Sequence, residues 1–493
     1  MENTTQNSLP NFKSAAELRA LAANESSSAK RRITALFDDG TFAETGAFAH
    51  SVAAELGGSE CELEGVVTGY GAIDGRLVFA FAQDFSRMKG AIGEMHAKKI
   101  CDLYELAIKN GAPIIGIFDS AGAYILEGVS ALAGYGKIMK KVSDASGVIP
   151  QIAVIAGNCG GACAAVASMF DILIGAKDAC FYVNPPFIMN ELDKAADHGK
   201  IETAAKNGQI HTVCDSDTDA LAYTRRLLSY IPQNNADGTA YSSSTDEINR
   251  LTPNVSAITA NDAYSMADVI TAISDDAAFL ELGAEHAGSM LTGFITLNGM
   301  VIGVAANNPA VKNGKLTACA AKKAASFISF CDCFDIPLLT LVDTEGYEAT
   351  TADENAKYGA ALARLASAYA SSETAKVTVV LGKAYGAAYT LMGSKSLGAD
   401  IALASENAKI SAMPTKSAVA FAWNEKVTDN AKRGEVEAAW DSVMASPVIA
   451  AKAGEIDDII SLDELRQRTS AAFEMLGAKN ALCIPKRHSN LPL

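Results

Sequence analysis

The sequence predicts an α/β protein made of two related halves. Three observations lead there. Buried-strand signatures alternate with amphipathic helix signatures, which is the pattern of a sheet covered by helices on both faces. The same series of elements occurs twice at a near-constant spacing. And 493 residues, 49% of them hydrophobic, are too many for one ordinary core but enough for two.

The spacing between the halves is 224 residues. Thr68-Gly69 matches Thr292-Gly293, and Asp74-Gly75 matches Asn298-Gly299. Ala97-Lys98-Lys99 matches Ala321-Lys322-Lys323. Pro113, Asp119 and Gly122 fall on Pro337, Asp343 and Gly346. At an offset of 225, Gly157 and Gly161 fall on Gly382 and Gly386. An internal repeat of this kind implies equivalent structural units.

Each half opens with a hairpin, because Asp-Gly or Asn-Gly between apolar runs is a strong two-residue turn signal. The runs RLVFAFAQ and MVIGVAAN then read as equivalent strands. The segments HAKKICDLYELAIKNG and AAKKAASFISFCDCFD follow as amphipathic helices. IIGIFD and LLTLVD come next as buried strands, and IAVIAG and VTVVLG are second buried strands that run into small-residue turns and helices. The polar stretch 232–262 reads as a linker or long loop. It divides the chain into an N-terminal domain, 1–250, and a C-terminal domain, 251–493. The segment from Ser446 to Ala478 reads as helical, ahead of a polar tail.

Composition excludes several classes. A net charge of −16 argues against general nucleic-acid binding. Ten cysteines show neither CxxC nor zinc-finger spacing, so they read as buried reduced thiols, Cys101, Cys163 and Cys319 among them. The polar first residues carry no apolar signal core, which predicts a cytoplasmic protein. The uncharged stretch Ile152 to Phe170 is broken by glycines and reads as strand, turn and buried helix. There is no Walker loop, HExxH, GxSxG or EF-hand loop, and no metal is expected. The histidines form no evident triad, and His96 reads as a structural residue on a helix.

The turns after the second buried strands carry the chemistry. GNCGGACAA (157–165) and GKAYGAAY (382–389) place small residues where main-chain amides face outward at a helix start. Each half thus offers a possible oxyanion hole, in which one donor is worth about 3–4 kcal/mol of transition-state stabilisation. DSAGA (119–123) and DTEGY (343–347) sit at equivalent strand ends, the edge where α/β sheets bind ligands.

These blocks resemble the carboxyltransferase subunits of biotin-dependent acyl-CoA carboxylases and decarboxylases. The similar stretches are GVVTGYGAIDGRLVFAFAQDF (65–85), GEMHAKKI (93–100), DSAGAYILEGVSALAGYG (119–136), RRLLSYIP (225–232), IPLLTLVD (336–343), KAYGAAY (383–389) and KSLGAD (395–400). The resemblance implies two tandem crotonase-like domains, each a ββα spiral, related by duplication. It implies acyl-CoA on the N-terminal domain and biotin on the C-terminal domain of another subunit, within a dimer-based hexamer. It further implies that carboxybiotin releases CO2, that the biotin nitrogen takes the α-proton, and that the thioester enolate attacks CO2. Two oxyanions form, one per substrate.

By matched position, the resemblance gives Gly161 and Ala162 to one hole and Ala387 and Ala388 to the other. It places Gly160, Gly122, Ala123 and Tyr124 at the thioester site, and Gly386, Ala387, Ala388 and Tyr389 on the biotin side. Thr390 occupies a position that influences acyl-chain choice. Arg87, Lys89 and Lys98 are candidates for the CoA phosphates. The family's usual Arg after DSGGA is Tyr124 here, and alanines replace glycines at Ala162 and Ala387. Partners follow from the resemblance: a separate biotin carboxyl carrier protein, and either a biotin carboxylase or a membrane decarboxylase subunit. The alternatives weighed are a sodium-pumping decarboxylase α subunit running the transfer in reverse, a biotin-independent hydratase or isomerase using Glu94 and Glu127, and a non-catalytic scaffold.

Overall fold

The computed structural model describes residues 27–50, 63–194, 197–428 and 432–479, with the isolated positions 14 and 16. These residues fall into two compact units. One comprises Met1–Ser146, Gln151–Ile201 and Cys214–Ala222; the other comprises Gly147–Pro150, Glu202–Val213 and Tyr223–Leu493.

The first unit begins with α1 (Ser28–Leu36) and β1 (Ala43–Thr45). The hairpin β2 (Val66–Ile73) and β3 (Arg76–Gln83) follows, then α2 (Glu94–Asn110), β4 (Ile114–Ser120), α3 (Val129–Ala145) and β5 (Gln151–Gly160). After these come α4 (Ala162–Ala167), β6 (Ile172–Ala176), β7 (Cys180–Tyr182) and α5 (Pro186–Leu192). The chain continues through α6 (Ile201–Lys206), β8 (Thr212–Cys214) and α7 (Asp217–Leu228). The sheet order is β1-β2-β3-β4-β5-β6-β8, with β7 branching from β5.

Asp74 and Gly75 both take positive φ, 50° and 77°, so the hairpin turns as the Asp-Gly pair predicts. β3, β4, β5 and β6 are parallel neighbours. Every residue of β4 is buried, as a strand covered on both faces requires. α2 ends at Gly111 in the left-handed conformation, whose N–H returns to the carbonyls of Ala107 and Ile108.

The second unit repeats the plan. Its elements are α8 (Pro253–Thr259), α9 (Met266–Ile273), β9 (Leu280–Leu282), β10 (Met290–Leu297), β11 (Met300–Asn307), α10 (Ala318–Cys333) and β12 (Leu338–Thr344). Next come α11 (Thr351–Asn355), α12 (Tyr358–Ser371), β13 (Lys376–Tyr385), α13 (Gly386–Leu391), β14 (Ile401–Ser405) and β15 (Lys409–Ser411). The unit closes with α14 (Thr415–Ala422), α15 (Arg433–Met444), α16 (Pro447–Lys452), β16 (Asp458–Ile460) and α17 (Leu465–Leu476). Its sheet runs β16-β14-β13-β12-β11-β10-β9, with β15 branching from β13.

The repeat extends to hydrogen bonds. Ile92 N–H donates to the Gly122 carbonyl at 2.8 Å, and Leu316 N–H to Gly346 at 3.0 Å. Both second buried strands break register at the same place, opposite Asp119 and Asp343.

Three expectations need correction. The segment 446–478 is not one helical stretch: β16 interrupts it, because Asp457 N–H bonds the Ala402 carbonyl and draws Asp458–Ile460 onto β14. Within 232–262, the chain forms α8, and Tyr241 bridges to Met300 at the sheet edge. Among the cysteines, Cys319 and Cys333 are exposed and Cys101 is half-buried; Cys61 and Cys483 lie outside the described residues. Cys319 faces outward because α10 turns Ala318 and Ala320 to the core instead. Ile152–Phe170 is a strand, a turn and a short helix, and no helix among the described residues is long and apolar enough to cross a membrane.

Candidate active site

Each unit fastens its two central strands with an aspartate. Asp119 ends β4, and its Oδ1 accepts the Asn158 N–H at 3.2 Å. Asp343 ends β12, and its Oδ1 accepts the Lys383 N–H at 2.9 Å. A Cβ on Gly157 would stand 2.1 Å from the Asp119 carboxylate, and one on Gly382 would stand 2.3 Å from that of Asp343. Glycine is therefore required beside each aspartate.

The second oxygen of each pair is held differently. Arg32 donates to Asp119 Oδ2 at 2.7 Å, to the Ala156 carbonyl at 2.7 Å and to Asp217 at 2.9 Å. In the second unit Tyr264 donates its hydroxyl to Asp343 Oδ2 at 2.9 Å. Burial pushes the Asp343 carboxyl above the usual carboxylate range, and burial and the Asp343 charge drive the Tyr264 phenol up.

The turns beyond these strands share a backbone. Gly161 has φ 61° and Gly386 φ 66°, conformations that favour glycine. At Gly161, ψ is −128°. Ala162 and Ala387 follow, both exposed; Ala162 opens α4 and Ala387 is the second residue of α13. The first amides of such helices have no partner inside the helix and are free to bind an oxyanion. Cys163 and Ala388, one residue further on, are buried.

One amide of the turn is already engaged. The Gly161 N–H donates to the Tyr182 carbonyl of β7 at 2.9 Å. It is committed to the sheet, so the exposed donor of this turn is Ala162. Gly386 is the counterpart of Gly161, as the offset of 225 residues gives. Gly160 is closed off by the Tyr182 ring, 2.4 Å from where its Cβ would stand.

Loop 120–124 is pinned on both sides. Ala121 N–H donates to the Lys89 carbonyl at 2.9 Å, and Tyr124 N–H to Ile92 at 2.9 Å. Ala123 forms a bridge with Ile92. Lys89 is exposed beside this loop and Arg87 half-buried. Lys98 projects from α2 with 58% of its side chain exposed and pairs with Asp102, which raises its pKa. The structure thus brings Lys89 to the loop but leaves Lys98 on an outward helix face. Tyr389 is half-buried; its hydroxyl has no partner and burial lifts it to about 12. Thr390 is exposed.

Glu127 is engaged at a helix start. It is buried, and it accepts the Glu94 N–H at the start of α2. Asp353 does the same for Ala318 at the start of α10, at 2.8 Å. Both are helix caps.

The chain matches the carboxyl transferase domain over residues 23–491. It belongs to the carboxyl transferase family. It is 36% identical over 479 residues to the propionyl-CoA carboxylase beta chain of Roseobacter denitrificans, with 94% of this chain and 93% of that one covered. It is 37% identical over 483 residues to the methylmalonyl-CoA decarboxylase subunit alpha of Propionigenium modestum, with 94% and 93% covered. Among solved structures it resembles transcarboxylase 12S, a hexamer with methylmalonyl-coenzyme A and methylmalonic acid bound. That likeness has a TM-score of 0.90 at 33% identity, covering 94% of this chain and 92% of that one. The two sheets are therefore two tandem crotonase-like domains, and the chain is an acyl-CoA carboxyltransferase.

Sequence reasoning missed Arg32, Gln83 and Tyr264. Nothing in the spacing of Arg32 signals its 87-residue reach to Asp119. Tyr264 lies just past the 232–262 stretch read as a linker, where no motif singles it out.

Proposed function

We propose that this chain is the carboxyltransferase component that moves a carboxyl group between carboxybiotin, on a separate carrier protein, and the α-carbon of a short-chain acyl-CoA such as propionyl-CoA or methylmalonyl-CoA. One observation carries the reading. A strand, a positive-φ glycine and an exposed alanine in the first turn of a short helix occur in each unit, at Gly161-Ala162 and Gly386-Ala387. Two amide sites suit a reaction that creates two oxyanions.

Ala162 then offers its N–H to the thioester oxygen as the enolate forms, with Gly122, Ala123 and Tyr124 lining the approach. Ala387 and Ala388 face the ureido oxygen, with Tyr389 and Thr390 beside them. Bound biotin supplies the carboxyl group and the nitrogen that takes the α-proton. That division of labour fits a site in which Glu127, one of the two candidate carboxylates, is engaged at the start of α2. Arg87 and Lys89 meet the CoA phosphates at the 120–124 loop. The exposed run Ile125, Leu126, Val129 and Leu132 beside that loop fits burial against a second copy, in a dimer-based hexamer working in the cytoplasm.

Similarity to a carboxylase chain and to a decarboxylase chain is nearly equal, so the reverse transfer toward a membrane decarboxylase subunit is the second reading. The test is to incubate the purified protein with methylmalonyl-CoA or malonyl-CoA, with and without free biotin. Biotin-dependent loss of the carboxyl group is expected. No turnover with either substrate, or turnover indifferent to biotin, overturns the reading.

A further inference from the structure

Behind the turn that carries Ala162 lies a chain of buried polar side chains that no helix or strand end requires. Glu64, His96 and Gln83 are 4%, 0% and 1% exposed. Glu64 Oε1 accepts the Gly65 N–H at 3.0 Å and stands 3.6 Å from His96 Nδ1. His96 Nε2 lies 3.4 Å from the side-chain nitrogen of Gln83. Gln83 Oε1 accepts the Asp119 N–H at 3.1 Å and faces the Cys163 thiol at 3.9 Å.

These contacts fix one direction of donation. Gln83 uses its oxygen for Asp119 and Cys163, so its NH2 donates to His96 Nε2. His96 is then protonated on Nδ1, toward the Glu64 carboxylate. Gln83 touches both sides of the proposed thioester site: Asp119 directly precedes the 120–124 loop, and Cys163 follows Ala162 in α4. The second unit has no such chain. Its equivalents are Gly288, Ala320 and Asn307, and Asn307 turns its NH2 to the Gly314 carbonyl at 3.1 Å while its oxygen has no partner.

We propose that Glu64, His96 and Gln83 are positioning residues peculiar to the first unit, which set the distance between the 120–124 loop and the Ala162 amide for the acyl thioester. Glu64 Oε2 and His96 Nδ1 have no hydrogen-bond partner, so the buried chain carries a cost that the scaffold does not require. Its confinement to one half matches a demand of that half's own ligand. The inference rests on the function proposed above.

The test compares His96→Phe, His96→Gln and Gln83→Met with the unaltered protein in biotin-dependent methylmalonyl-CoA decarboxylation. His96→Phe and Gln83→Met should lower kcat about 10- to 100-fold while KM changes less than about threefold, since reacting groups displaced by an ångström lose roughly that much. His96→Gln keeps an acceptor for the Gln83 amide and should recover most of the rate. Hydrogen exchange at 119–124 and 160–165 should quicken in the first two variants and not in the third. Should His96→Phe fail to fold, Gln83→Met and His96→Gln decide the matter by the same readouts. Folded variants with unaltered kcat and exchange overturn the inference and leave the functional reading standing. An unaltered protein inert with biotin sinks the functional reading itself.

Discussion

Asp119 and Asp343 show how much a single residue determines here. Each binds the amide of the neighbouring strand, so each excludes any side chain at Gly157 or Gly382. The glycines after those strands are held to positive φ, and alanine at Gly161 would be strained by about 1–3 kcal/mol. Gly161→Ala should therefore lower the melting temperature and cut turnover at least tenfold, and Gly386→Ala should do the same through the biotin side. Full turnover in a well-folded Gly161→Ala protein would remove the Ala162 amide from the chemistry. The repeated glycines were readable from the sequence because identical backbone demands leave identical residues. The fate of the Gly161 N–H was not, because the acceptor, Tyr182, reaches it only when β7 joins the sheet. Composition is equally silent on Arg32, whose partners lie 87 and 185 residues away.

The elements of the repeat were legible to within a few residues, since hairpin, helix and buried strand each leave a local pattern. Helical phase was less so. Of the adjacent pair Lys98 and Lys99, the structure buries Lys99, whose ammonium bonds the Val66 carbonyl. Its counterpart Lys323 donates to the carbonyls of Gly283, His286 and Met290 at 2.7, 3.0 and 2.8 Å. Burial lowers both lysines to about 8. A lysine held below its unfolded value of 10.5 binds its proton less well in the native state. The native state therefore carries the full burial cost below pH 8 and sheds it as pH rises toward 10.5. Lys323→Met should destabilise the fold by about 1–3 kcal/mol, from three carbonyls left without a donor. It should also flatten the rise of stability between about pH 8 and 10.5 in urea titrations. An unchanged slope would mean that Lys323 keeps an ordinary affinity for its proton. The C-terminal segment was misread for a different reason: β16 is three residues long, too short to leave a period.

At the scale of the whole molecule, a run of apolar side chains stands beside the first unit's site, with Ile125 87% and Val129 78% exposed. Charge placed there should be tolerated by a lone chain and resisted by an assembly. Ile125→Asp with Val129→Asp should shift the protein to a smaller species in light scattering and reduce turnover together. Retention of the same mass and rate would place the subunit contact elsewhere.

The matched hydrogen bonds that seat loops 120–124 and 344–348 make those loops behave like two plugs cut for one pattern of socket. Ile92 and Leu316 hold the loops through main chain, and in the second unit Glu348 adds side-chain pairs to Lys312 and Lys315 at 3.5 and 3.9 Å. At the last position of these loops the first unit carries Tyr124 and the second Glu348. One common skeleton thus presents a neutral aromatic ring in one half and an acid in the other at the same place in the loop.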